Sequence, residues 1–177
     1  MLASIWLQLS GAAEASLGAL IAMLATAHGT VPFPPHLTVC SPRANPDSWD
    51  AAAEYIRASR LLPLRVRKER ISYSTTAPMR AVIIDVESTA DLQSFREDLR
   101  RITGAAELHP PHISLLYAVE ETGRQPSWSS DESRLKTIAE ECSRRVDVRN
   151  FILDRPVIVT PDDTWTNVRS WRVARRL

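Results

Sequence analysis

The chain has 177 residues, 44% of them hydrophobic and 24% charged, which allows one ordinary domain and indicates neither disorder nor a fibrous class. Its 22 Lys plus Arg balance 21 Asp plus Glu to a net charge of +1. That excludes the basic excess by which proteins hold long nucleic acids through their phosphates, although a small anionic ligand needs only local positive charge.

In chain order, residues 4–9 are short, apolar and aromatic, end at Ser10-Gly11, and predict a first strand. Residues 12–26 contain no proline and carry Leu17, Leu20, Ile21 and Leu24 at helical spacing, predicting a helix with one buried stripe that His28-Gly29 ends. No basic segment follows Met1, and Glu14 interrupts the apolar stretch, so neither a signal peptide nor a membrane helix is expected. Val31 to Pro35 is too rich in proline for helix or central strand and leads into an alternating strand over 36–40. A turn over 42–46 follows, and Asp47 or Ser48 is placed to cap a helix running through Trp49, Ala53 and Ile56.

Residues 62–68 and 79–86 predict a hairpin, with a polar connection over 72–78. Ser88 or Thr89 caps a helix with Leu92, Phe95, Leu99 and Ile102 on one face, closed by Gly104. His109-Pro110-Pro111 introduces an alternating strand over 112–119. A polar loop to 130, a helix over 131–144, and strands over 151–160 and 169–175 complete the chain. The mixture predicts an α+β fold with antiparallel pairing, in a single domain over 1–177. Cys40 and Cys142 fit neither a disulfide framework nor CxxC spacing, so both are expected as reduced, buried thiols.

Two segments match each other: Pro34-Pro35-His36-Leu37-Thr38-Val39 and Pro110-Pro111-His112-Ile113-Ser114-Leu115. Each reads Pro-Pro-His-apolar-hydroxyl-apolar, as an internally duplicated site would. Alternation along a strand turns His36 and Thr38 to one face and Leu37 and Val39 to the other, and it does the same for His112 and Ser114. If the two strands lie side by side, one cleft receives two imidazoles and two hydroxyls. Opening a cyclic phosphate with water requires a base, an acid for the departing oxygen, and donors to the non-bridging oxygens. Imidazole, with an ordinary pKa of about 6.5, serves as either acid or base near neutral pH, and hydroxyls donate to phosphate. No metal ligands are required. His28 and His109 lie outside the repeat, and the four histidines show no zinc spacing.

These motifs resemble the two H-x-[ST]-x words of the 2H phosphoesterase superfamily, and most closely its fungal and plant cyclic phosphodiesterase branch. The likeness is carried by Phe33-Pro34-Pro35-His36-Leu37-Thr38 and Pro111-His112-Ile113-Ser114-Leu115-Leu116-Tyr117, with Ser4-Ile5-Trp6-Leu7 and Ser170-Trp171-Arg172-Val173 resembling the first and last strands. It implies a bilobal fold in which two antiparallel sheets, flanked by helices and related by a pseudo-twofold repeat, meet at a central groove. It also implies metal-independent hydrolysis of nucleoside 2′,3′-cyclic phosphates or of ADP-ribose 1″,2″-cyclic phosphate from tRNA splicing, leaving a 2′-phosphate or a 1″-phosphate. His36 and His112 then catalyse, with His112 provisionally the base and His36 the acid in a near-symmetric pair. Thr38 and Ser114 hold the phosphate.

Tyr117 falls where an aromatic ring can border the base or simply pack, and Trp6 either lines the groove or joins the core. A soluble, cytoplasmic monomer is expected, acting on a small nucleotide without cofactor, membrane or long nucleic acid. A non-catalytic nucleotide- or RNA-end-binding module and an RNA-acting enzyme of the 2′,5′ ligase-like type are the alternatives. The run Arg65-Val66-Arg67-Lys68-Glu69-Arg70 reads either as a solvated strand face or as a holder for a pyrophosphate. Arg169, Arg172, Arg175 and Arg176 read as a solvated edge or as a contact to RNA.

Overall fold

Strand β1 (Ser4–Leu9) is buried along nearly all its length because both of its faces are covered. Ile5, Leu7 and Leu9 enter the main core, while Trp6 joins a second, smaller cluster with Val157 and Val159 on the opposite face. The computed structural model of the protein describes residues 3–41, 46–106, 109–161 and 164–177, so the turn expected over 42–46 falls outside the described residues apart from Pro46. Helix α1 (Gly11–His28) buries the expected stripe of Leu17, Leu20, Ile21 and Leu24, and Gly29 ends it in the left-handed conformation at φ 67°. β2 (His36–Cys40) is followed by α2 (Pro46–Ala58), which starts earlier than a cap at Asp47 or Ser48 would place it. Proline suits a first helical position, where its missing N–H would have no partner in any case.

β3 (Leu64–Tyr73) runs past the expected end because Ile71 and Tyr73 go on pairing with Ile84 and Val82 of β4 (Val82–Val86). Pro78–Arg80 forms a 3₁₀ turn, so β4 begins later than expected. α3 (Ala90–Thr103) is capped by Thr89, whose Oγ1 accepts a hydrogen bond from Leu92 N at 3.3 Å. Replacing Thr89 with Ala is expected to cost about 1 kcal/mol. The shift in urea midpoint at unchanged slope measures this, and a change below a few tenths of a kcal/mol would contradict the cap.

β5 (His112–Leu116) ends three residues early, because Ala118 N donates to Pro78 O and not to a neighbouring strand. α4 (Glu132–Arg145) is capped by Asp131, and β6 (Asn150–Thr160) and β7 (Arg172–Arg176) complete the α+β fold. Among the described residues, no helix is long and apolar enough to cross a membrane.

The strands form one sheet in the order β1-β2-β5-β4-β3-β6-β7, with β1 also pairing β6, and every pairing is antiparallel. Two separate sheets were the expectation, and the length of β6 is what joins them. Its first residues pair β3 at Leu64↔Leu153 to Arg67↔Asn150, and the remainder pairs β1 at Ser4↔Val159 to Leu9↔Leu153. The other junction is the Leu37↔Ile113 contact between β2 and β5. On either side of that seam one arrangement recurs: Gln8 faces His36 and Trp6 faces Thr38, while Asp85 faces His112 and Ile83 faces Ser114. Helices α1, α3 and α4 pack against the sheet and α2 packs on α3, with Phe95 and Phe151 wholly buried in the core.

Candidate active site

The Pro-Pro-His word has a structural meaning. A residue before proline is confined to extended conformations, so Pro35 fixes the direction of the Pro34 carbonyl, and Pro111 does the same for Pro110. Those carbonyls meet the imidazoles: His36 Nδ1 lies 2.7 Å from Pro34 O, and His112 Nδ1 lies 2.8 Å from Pro110 O. A carbonyl only accepts, so each Nδ1 carries the hydrogen and donates it. Both neutral rings therefore hold their lone pair on Nε2.

Antiparallel pairing of Leu37 with Ile113 sets His36 across from Ser114 and Thr38 across from His112. The two imidazoles lie on one diagonal of a square, and the two hydroxyls on the other. All four side chains line a single cavity of about 500 Å³, a size ordinary for a small-molecule site. The structure thus brings together the two motifs that the sequence set 76 residues apart.

The two histidines differ in their surroundings. His36 is only 5% exposed. Trp6 stacks on its ring at 3.6 Å and 12°, Phe33 meets its edge at 6.2 Å, and the Tyr117 hydroxyl lies 3.5 Å from Nε2. Burial pushes its pKa down to about 4, the Pro34 hydrogen bond opposing and His112 adding to the effect. His112 is half-buried. Its pKa is lowered first by burial, against the Pro110 hydrogen bond, and then by the charges of Arg80, Arg96 and His109. Ser114 Oγ donates to Met79 O at 3.3 Å, whereas Thr38 Oγ1 has no partner among the described residues.

Tyr117 and Trp6 both line the cavity, and both also pack. The Tyr117 ring stacks on Phe33 at 3.7 Å and meets Trp171 edge-on at 5.6 Å, so its hydroxyl is the part that reaches His36. Burial holds that phenol well above its ordinary pKa. Trp6 covers His36 with one face and contacts Trp171 at 5.3 Å.

Several cavity residues escaped the sequence reading. Trp165 and Trp171 extend the aromatic wall, with Trp171 Nε1 donating to Trp165 O at 3.1 Å. Arg80 and Arg96 also border the cavity, and for Arg96 a signal existed: it occupies the buried face of α3 with Leu92, Phe95 and Leu99, where a charge is out of place. His109 lies at the rim, while His28 sits elsewhere beside Trp128 and Arg134.

Arg67 pairs with Glu87 and Arg70 with Asp85 on exposed surface, and the run 65–70 contributes nothing to the cavity. Arg169 pairs with Glu121 and Arg175 with Asp50. Cys40 and Cys142 are both free and buried. Among the described residues, no three His, Cys, Asp or Glu side chains converge to hold a metal ion.

No family model matches this chain, and no curated protein does. Two solved structures resemble it over 89% of its length and 92% of theirs, at 11% identity: Usb1 of Kluyveromyces marxianus, with a TM-score of 0.45, and the same protein with uridine monophosphate, with a TM-score of 0.42. Likenesses at this level assign no activity.

Proposed function

We propose that the protein is a two-histidine phosphodiesterase that opens a small 2′,3′-cyclic phosphate with water. The observation that carries this reading is the diagonal square in one cavity, with His36 and His112, each unprotonated at Nε2 in its neutral form, at two corners and Thr38 and Ser114 at the others.

In the reaction, water attacks phosphorus and gives its proton to His36 Nε2. The bond from phosphorus to the ribose 3′-oxygen breaks, and that oxygen takes the proton from Nε2 of charged His112. The product is the 2′-phosphate, with His36 charged and His112 neutral until solvent exchange resets them. Thr38 donates to one non-bridging oxygen, where negative charge is concentrated, and Ser114 donates to the other once its single hydroxyl hydrogen turns from Met79 O to the phosphate.

These roles reverse the provisional order given by sequence. A pKa of about 4 keeps His36 neutral across the physiological range, as a base must be. His112 is partly solvated, and a bound phosphate anion favours its charged form.

The pH dependence follows. The neutral base is lost as pH falls through about 4, and the charged acid is lost as pH rises through the lowered His112 pKa, below 6.5. The expected kcat/KM profile is a bell with its maximum on the acid side of 6.5, unchanged by excess EDTA. The kcat profile lies at higher pH, because substrate anion raises both values. A maximum above pH 8, or loss of activity with chelator, would contradict this mechanism.

The test of the function is incubation with the four nucleoside 2′,3′-cyclic phosphates and ADP-ribose 1″,2″-cyclic phosphate, followed by phosphorus NMR of the products. Ring opening to 2′-phosphates, or to the 1″-phosphate of ADP-ribose, is expected. Tight binding without any product would favour a non-catalytic module.

A further inference from the structure

The cavity has two unlike ends. Around His36 the walls are aromatic, formed by Trp6, Tyr117, Trp165 and Trp171. Past His112 they are cationic and polar. Following β2 from Thr38, the cavity continues beside Cys40 and Ser41 and is bordered there by Arg96 and His109, while Arg80, from the turn before β4, also lines it and its charge acts on His112.

Arg96 is the informative group. It is only 8% exposed, yet among the described residues no carboxylate pairs with it. Its Nε donates to Val39 O at 3.2 Å and its Nη2 to His109 O at 2.7 Å. A guanidinium has five N–H groups, so three are left without a protein acceptor among the described residues, on a side chain that borders the cavity. Burying a charge without its counter-ion is unfavourable. Such a group is retained where a ligand supplies the missing anion, and guanidinium suits phosphate in particular. Arg80, half-buried and likewise without a carboxylate partner among the described residues, adds a second cation.

We propose that Arg96, with Arg80 and His109, forms a second anion subsite that takes a phosphoryl group on the 5′-oxygen of the same nucleotide whose cyclic phosphate lies between the imidazoles. The step from Thr38 to Cys40 is two strand residues, about 6–7 Å, comparable to the span of one ribose. The preferred substrate is then a 5′-phosphorylated 2′,3′-cyclic nucleotide, with the base or sugar face against the aromatic end. The subsite presupposes the cyclic-phosphate reading of the cavity.

The test compares kcat/KM for adenosine 2′,3′-cyclic phosphate, its 5′-phosphorylated form, and a dinucleotide ending in the cyclic phosphate. For the wild-type protein, at least about a tenfold advantage is expected from the charge-assisted contacts of a 5′-phosphoryl group. An equal gain for the dinucleotide assigns the subsite to an RNA end, and a gain for the mononucleotide alone assigns it to a terminal phosphate; either supports the subsite. R96Q and R80Q are each expected to pull the ratio toward one, with R80Q serving where R96Q fails to fold. A wild-type ratio near one, or a ratio unchanged in the folded variants, would overturn the proposal. If no substrate turns over, the hydrolase reading has failed by itself, and calorimetric titration with adenosine 2′-phosphate and adenosine 2′,5′-bisphosphate decides the subsite. Tighter binding of the bisphosphate, weakened in R80Q, supports it, and equal affinities overturn it.

Discussion

Replacing either His36 or His112 with alanine is expected to lower kcat/KM on a 2′,3′-cyclic nucleotide by roughly 10²–10⁴-fold, the usual contribution of one positioned acid or base. The double variant should fall little further, because acid and base act on one transition state and their losses do not add. The two replacements differ in a second respect. His36 is buried against Trp6 and Phe33, so its removal leaves a hole among these rings, whereas His112 is half-buried and its loss is milder for the fold. Near-UV circular dichroism separates the effects: H112A should keep a native spectrum while losing turnover, and H36A should lose turnover with some change in the tryptophan bands. If both variants keep activity within a few fold of wild type, the catalytic assignment fails. Changing His112 to glutamine offers a sharper form of the test, since it keeps polarity but cannot serve as an acid.

The second large effect concerns the hydroxyls. T38V is nearly isosteric, leaves no other group without its partner among the described residues, and removes one donor to the phosphate. A kcat loss of about 10²–10³-fold is expected, as for single donors that meet developing oxyanion charge. KM should change far less, because the donor acts mainly on charge that builds in the transition state. S114A is expected to lose a similar factor in rate, but it also deprives Met79 O of its hydrogen bond, so some stability is lost as well. Stopped-flow single-turnover kinetics distinguishes the chemical step from product release. A T38V enzyme with unchanged kcat and a raised KM would mean that Thr38 binds substrate without assisting the reaction.

Much of the fold was legible in the sequence because local pattern and tertiary burial agree. The α1 stripe from Leu17 to Leu24, the Thr89 cap and the Gly104 stop are local signals that nothing in the packing overrides. The boundaries that moved did so for non-local reasons. β3 lengthened because β4 continued to offer partners, and Pro78–Arg80 became a 3₁₀ turn because proline cannot donate to the ladder. That one strand, β6, serves both halves of the sheet depends on two registers at once, which no window of sequence contains.

At the site, repetition made four residues visible, since His36, Thr38, His112 and Ser114 announce themselves twice. Trp165 and Trp171 belong to no repeat, and their meeting with Trp6 depends on β6 pairing with both β1 and β7. Arg96 was readable in principle as a charge on an apolar helix face, and Ile102 stands in the same stripe only half-buried while Thr103 takes the covered place. The acid and base roles were beyond reach of sequence, because they depend on the stacking of Trp6 over one histidine and on the arginines near the other.

A titration by NMR measures the convergence of the two rings on one phosphate most directly. With the imidazole resonances of His36 and His112 assigned, adenosine 2′-phosphate is added in steps, and the pKa of each ring is followed from free to saturated protein. Both pKa values should rise together, with one ligand per chain and a single dissociation constant read identically from the two rings. A response confined to one histidine, or two separate constants, would place the rings at different sites and contradict the mechanism.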